Sequence, residues 1–223
     1  MTMQDWQAIN NACLASIEQG KTYVSLSEPV DYDELSRISE IASMAVADSV
    51  YGLASAEKLI AYIKAKPGRL AIAGIGKSHH VAQLAAATFA SVGIPSLQLD
   101  TAHITHGDAG FVMPGDAVLY ISKSGRTSEM LNAIKCLANT TKPNQFLLTC
   151  TGFEQLPSIV QDFCSEVITL PTICGHEMNG YSPTTSTLSF VSFLNALAMV
   201  CQTFTREQFA QHHPGGALGE ELN

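Results

Sequence analysis

Residues 117–134 read Ala117-Val-Leu-Tyr-Ile121-Ser122-Lys-Ser-Gly-Arg-Thr-Ser128-Glu-Met-Leu-Asn-Ala-Ile134. Five apolar residues in an unbroken run predict a strand buried on both faces. The turn signal Pro114-Gly115-Asp116 precedes the run. Four hydroxyls, one glycine and two cations follow it within residues 122–128. A helical stretch over about 127–139 comes next. Strand, short polar loop, helix is the repeating unit of a parallel sheet.

The same texture extends in both directions. Short apolar runs occur at Leu70–Ala73, Ser96–Leu99, Gln145–Thr149 and Val167–Leu170. Helical stretches at about 78–91, 127–139 and 155–163 separate most of the five runs. Continuous apolar strands alternating with helices predict an α/β fold, a three-layer α/β/α sandwich of flavodoxin-like type around a five-stranded parallel sheet. Upstream, residues 3–19 read as a helix and Lys21–Pro29 as a polar connection. A helical region then runs from about Asp31 to Lys66, with a break expected near Gly52 and Pro67-Gly68 ending it. Downstream, helices are expected at about 184–203 and 205–211. The organisation expected is one domain, with a helical extension over 1–66, the sheet core over 67–171, and C-terminal helices with a His-Pro-Gly-Gly tail over 172–223.

Composition narrows the function classes. The chain has 223 residues, 46% hydrophobic and only 14% charged, which excludes a disordered chain. Its 20 acidic against 12 basic residues give a net charge of −8, which argues against nucleic-acid binding. So few charges on a chain this apolar predict that another copy covers part of the surface. The uncharged run Met178–Thr205 is interrupted by Ser189, Ser192 and Asn195, so a buried helix is expected rather than a membrane span. The start, Met1-Thr-Met-Gln-Asp-Trp6, carries neither a basic nor a continuous apolar region, so no secretory leader is expected. Six scattered cysteines without a CxxC pair fit free thiols in the cytoplasm.

Ligands of an open parallel sheet sit at the carboxyl ends of its strands. The first loop there is Gly74-Ile-Gly76-Lys77-Ser78. It is neither a Walker A loop, since position 71 is Ala, nor a dinucleotide fingerprint, since position 79 is His. Two readings stay open: a small-anion site at a helix start, or a tight turn with Ser78 as N-cap and Lys77 solvated. The 122–128 loop is more telling. A phosphate monoester needs many donors, and hydroxyls with exposed amides supply them without a metal. Ordinary N-capping by one serine leaves three hydroxyls and two cations unexplained.

Taken with Gly-x-Gly-Lys-Ser after the first strand, Ser-x-Ser-Gly-x-Thr after the third resembles the SIS (sugar isomerase) domain. His106-Gly107-Asp108, Ser182-Pro-Thr184-Thr-Ser-Thr187 and His213-Pro-Gly-Gly-Ala-Leu-Gly219 extend the likeness over about residues 35–222. The set, in this order, is similar to the isomerase domain of bacterial arabinose-5-phosphate isomerases. The resemblance implies a sugar-phosphate substrate held by Ser78, Ser122, Ser124 and Thr127, with Gly76 and Ser128 beside them. It implies aldose–ketose isomerisation through a cis-enediol. Glu129 is the candidate base, Lys77 the cation for enediolate charge, and His106 and His213 the groups for ring opening and proton shuttling. Glu129 has a plainer reading as a first-turn carboxylate favoured by the helix dipole, and His106 one as a structural hydrogen-bonding group in a turn. The resemblance further implies a homodimer or homotetramer with shared active sites, His213 reaching a neighbouring subunit. No cofactor, metal, nucleic acid or membrane is called for.

Departures from the family pattern define the remaining expectations. Lys123 and Arg126 stand where the family usually has Asn and Glu, bringing two cations to the loop. Asp100 stands where a family histidine sits. The stretch from Thr172 to Tyr181 replaces a shorter acidic segment, making Glu177 a candidate acid; Arg126 and Thr184 are further candidates. Many relatives carry two CBS modules after the Pro-Gly-Gly segment. This sequence ends at Asn223, so that regulation is not expected. Two alternatives to the pentose-phosphate reading stand: a non-catalytic sugar-phosphate-binding module, and an isomerase of another sugar phosphate such as a hexulose 6-phosphate.

Overall fold

The computed structural model describes residues 32–65, 68–170, 177–178 and 180–222. The chain divides into two compact units, 1–37 and 38–223. The expected helix over 3–19 and connection over 21–29 lie outside the described residues.

Five strands form one parallel sheet: β1 (Leu70–Gly74), β2 (Ser96–Asp100), β3 (Ala117–Ile121), β4 (Asn144–Thr149) and β5 (Glu166–Thr169). Their order is β2-β1-β3-β4-β5 and every neighbouring pair is parallel. The expected five-stranded α/β/α sandwich is the fold. Every residue of β1 and β3 is buried, which is why both read as unbroken apolar runs.

Two-residue alternation along the strands assigns the two layers. Leu70, Ile72, Leu119, Ile121, Phe146 and Leu148 face one way. They pack against α2 (Glu57–Ala65), α3 (Lys77–Ser91) and α7 (Thr185–Cys201), through Leu59, Phe89, Phe190 and Phe193. Ala71, Ala73, Val118, Tyr120 and Leu147 face the other way, against α4 (Thr101–Ile104), α5 (Ser128–Asn139) and α6 (Ser158–Phe163). In α5 the buried positions are Met130, Ala133, Ile134 and Leu137, the i, i+3, i+4, i+7 stripe of a helix lying on a sheet.

The long N-terminal helical region breaks where expected. α1 (Tyr32–Tyr51) ends at Gly52, and one 3₁₀ turn over Gly52–Ser55 leads to α2. A side chain at Gly52 would come within 2.6 Å of Leu170 Cδ2, so the close approach requires glycine. The chain closes with α8 (Arg206–His212) and α9 (Gly216–Leu222). α9 was not legible, because Pro214 and two glycines mask a helix start. The same holds for α4 and the 3₁₀ turn at Asp108–Phe111, too short for periodicity. No single described helix is long and apolar enough to cross a membrane. Nine residues of α7 are buried, so its apolar character is that of a core helix.

One expectation fails at the cysteines. Cys136, Cys164 and Cys201 are free thiols, but Cys150 is disulfide-bonded. Its partner lies outside the described residues. Cys150 sits just past β4, half-buried against the apolar layer.

Candidate functional site

The strand order fixes where a ligand can enter. The chain leaves β1 toward β2 on one side and β3 toward β4 on the other, although β1 and β3 are neighbours. Diverging crossovers leave a crevice at the carboxyl ends of this pair. Both the 74–78 and the 122–128 loops open into it.

The 122–128 loop is organised by its own hydroxyls. Ser122 is buried, and its Oγ accepts a hydrogen bond from Gly125 N–H at 3.1 Å. The same Oγ lies 3.2 Å from Thr127 Oγ1. Ser124 Oγ accepts from Arg126 N–H at 3.3 Å. Gly125 has φ +63°, and a Cβ there would meet Leu156 Cδ2 at 2.3 Å. Only glycine makes this turn. Thr127 occupies the N-cap position of α5, yet its hydroxyl makes no capping bond. Capping by a side chain therefore does not account for these hydroxyls. In the first loop the N-cap of α3 is Gly76, not Ser78, and again no side chain caps the helix. Ser78 lies in the first turn of α3, half-buried. Two helices thus start at the crevice without side-chain caps, with amide donors and hydroxyls side by side.

The third wall is the segment before α7. Lys77 is not simply solvated: its Nζ donates to Pro183 O at 3.1 Å. Lys123 Nζ pairs with Glu177 Oε1 at 2.7 Å, where the carboxylate side chain is fully buried. Glu177 also accepts from Thr184 N–H at 2.7 Å, Ser186 N–H at 3.3 Å and Ser186 Oγ at 2.6 Å. Burial pushes its carboxyl up, but Lys123, the Ser186 hydroxyl and the two backbone amides outweigh this and hold it at about 2. A group ionised over the whole neutral range is no proton donor there. Glu177 caps α7 instead of serving as an acid. Thr184 belongs to this cluster, its hydroxyl accepting from Met178 N–H at 3.1 Å.

The two extra cations therefore behave differently from the sequence expectation. Lys123 is spent on Glu177. Arg126 Nη2 donates to Gln155 O at 2.8 Å, which holds the guanidinium toward the loop after β4. Neither perturbs Glu129. That carboxyl is lowered by its own backbone N–H and by the Ser128 hydroxyl, which donates to Oε2 at 2.8 Å.

His106 is exposed in the turn after α4, beyond the carboxyl end of β2. Its backbone N–H donates to His103 O at 2.8 Å. His213 is elsewhere. Its ring stacks on Phe209 at 3.9 Å, and Nδ1 lies 2.7 Å from Phe209 O. Donation from Nδ1–H to that carbonyl leaves Nε2 as the basic nitrogen. Thr203 and Phe204 N–H both donate to Val92 O, so the chain leaves α7 at the far end of α3 from Gly76. α3 spans about 22 Å and α8 only about 10 Å. His212 stacks back on Phe204 at 4.5 Å, so the end of α8 that carries His213 stays at the far end of α3 from Gly76.

A cavity of about 190 Å³, lined by Tyr62, Ile63, Leu70 and Ile94 among others, lies at the amino ends of the strands, opposite the hydroxyl loops. The crevice itself is open to solvent, with Lys77, Ser124, Arg126 and His106 exposed.

Comparison with known proteins decides the family: the SIS domain model matches residues 62–200. The chain belongs to the SIS domain family. The SIS core is 37% identical to the Escherichia coli K12 arabinose 5-phosphate isomerase KdsD over 156 residues, 70% of this chain and 47% of that protein. It is equally similar, 37% over 162 residues, to KdsD of Yersinia pestis. The chain thus spans about half the length of the curated relatives it matches. Among solved structures, an Escherichia coli CFT073 protein in complex with arabinose 5-phosphate superposes with a TM-score of 0.69 at 25% identity, covering 83% of this chain and all of that one.

Proposed function

We propose that this SIS domain is a phosphosugar aldose–ketose isomerase that interconverts arabinose 5-phosphate and ribulose 5-phosphate. The observation that carries the reading is the pair of uncapped, hydroxyl-bearing helix starts at the β1/β3 crevice. Backbone amides of Gly76 and of the α5 start, with the hydroxyls of Ser78, Ser122, Ser124, Thr127 and Ser128, suit a phosphate dianion. The KdsD relatives and the structural neighbour that holds arabinose 5-phosphate support the pentose phosphate as substrate.

In this reading Glu129 is ionised and half-buried, and takes the C2 proton of the open-chain aldose. Electrons from that bond form the enediol, and the proton returns at C1 to give the ketose. The Lys77 ammonium stabilises negative charge on the oxygens of the enediolate. His106 assists ring opening. His213, with Nε2 basic, completes the site from a second copy of the chain.

The apolar surface agrees with a second copy. Met44, Val46, Val50 and Tyr51 on α1, and Leu188 and Met199 on α7, are exposed. The two helices are tied side by side, Ser189 Oγ donating to Ala45 O and Ser192 Oγ to Val46 O. We place the homo-oligomer contact on this face.

The test is deuterium exchange at C2 across a panel of pentose and hexose phosphates. Exchange with arabinose 5-phosphate is expected. Exchange with hexose phosphates alone selects a hexulose-phosphate isomerase. Binding without exchange selects a sensor.

A further inference from the structure

Glu177 is a fully buried carboxylate that the chemistry above does not use. It is the junction between two parts of the site. On one side it holds the amino end of α7 through Thr184 and Ser186. On the other it holds Lys123, the residue between the two loop serines. Lys123 is fixed from its backbone as well. Its carbonyl accepts from Cys150 N–H at 3.1 Å, Thr149 Oγ1 at 3.0 Å and Thr151 Oγ1 at 3.2 Å. The first loop is tied to the same α7 start by Lys77 Nζ and Pro183 O. All three walls of the crevice therefore meet at Glu177 and the segment 183–186. Among the described residues, only the Lys123–Glu177 pair joins the 122–128 loop to that segment by opposite charges.

We propose that Lys123 is a positioning residue: by pairing with Glu177 it fixes the 122–128 loop against α7, so that Ser122, Ser124 and Thr127 are set before the sugar phosphate arrives. This rests on the sugar-phosphate reading of the site. The cation stays off the substrate, because moving Nζ to a phosphate strands a buried carboxylate, and an unpaired buried charge is costly. Its benefit is preorganisation, since a loop held by these contacts leaves less ordering to the binding step.

The two roles open to Lys123 predict opposite signs for one variant. If Lys123 acts through Glu177, Glu177→Gln loosens the loop and raises KM. If Lys123 is itself a phosphate ligand, Glu177→Gln frees it and lowers KM. We expect Glu177→Gln and Lys123→Met each to raise KM for arabinose 5-phosphate, and Kd for inorganic phosphate by calorimetry, by about tenfold, with kcat within about threefold. The double variant leaves no buried charge and keeps the fold testable if Lys123→Met does not fold. It should be no worse than either single change, because both break one interaction. Lys123→Arg should recover most of the affinity. A lowered or unchanged KM in Glu177→Gln, additive effects in the double variant, or a loss confined to kcat overturns the proposal. If the unmodified protein neither exchanges C2 deuterium with any sugar phosphate nor binds inorganic phosphate, the reading of the site falls, and this proposal with it. If it does both and the variants match it, only the role of Lys123 falls.

Discussion

Glu129 and Ser124 sit five residues apart on one loop and helix start, yet their substitutions should separate cleanly. Glu129 is held ionised by its own amide and by Ser128. A depressed carboxyl is a weaker base than an ordinary one, but at neutral pH it is in the form that accepts a proton. Glu129→Gln keeps the size and the Ser128 contact and removes only the basic oxygen. We expect C2 exchange to fall by about 10²–10⁴-fold while binding of the sugar phosphate by calorimetry is retained. Retained exchange removes Glu129 as the base. Ser124 is exposed, and its hydroxyl spends one acceptor position on Arg126 N–H. Ser124→Ala should raise KM by about tenfold with kcat little changed, the worth of one hydrogen bond to a charged group. A normal KM counts against a phosphate contact at Ser124.

At the scale of elements, the loops are built on close contacts that can be broken singly. Gly125→Ala puts a Cβ 2.3 Å from Leu156 Cδ2 in a backbone with φ +63°. It should cost about 2 kcal/mol or more in urea denaturation, with phosphate affinity falling alongside. Glu177 gives the α7 start a pH dependence whose sign follows from its carboxyl lying at about 2 in the folded chain. The unfolded value is about 4.3, so the contribution is complete above that and is lost as pH falls toward 2. Glu177→Gln should flatten the fall of Tm between pH 5 and pH 2, about one carboxylate's worth. An unchanged slope refutes the assignment. The elements themselves were legible because apolar runs and helical spacing are local. Ala117–Ile121 announces β3, and Met130, Ala133, Ile134 and Leu137 announce the buried face of α5. The hydroxyl loop was legible for the same reason. The Lys123–Glu177 pair was not, because its partners lie 54 positions apart and meet only after five strands and α7 have packed. Sequence alone therefore read Lys123 as charge offered to a substrate.

For the whole molecule the question is whether one chain holds a complete site. Thr203 and Phe204 anchor the end of α7 to Val92, beyond the far end of α3, and α8 is too short to return His213 to Lys77. Phe209 meanwhile holds the His213 ring by stacking and engages Nδ1 with its carbonyl, which leaves Nε2 unengaged by that contact. If His213 is the proton shuttle of the proposed site, it has to serve a neighbour's crevice. The few charges of the chain and the exposed Val46, Val50, Leu188 and Met199 give that neighbour a surface to cover. The prediction is complementation. His213→Ala and Glu129→Gln should each be inactive when expressed alone. Mixed oligomers of the two pair an intact His213 with an intact Glu129 in half of the shared sites and both lesions in the other half. Random co-assembly into dimers should restore on the order of a quarter of the unmodified rate. Sites made within one chain restore nothing on mixing, because every chain then carries its own lesion to its own crevice. Recovered activity that rises with the fraction of mixed oligomers, isolated by two different affinity tags, requires His213 to act across the interface.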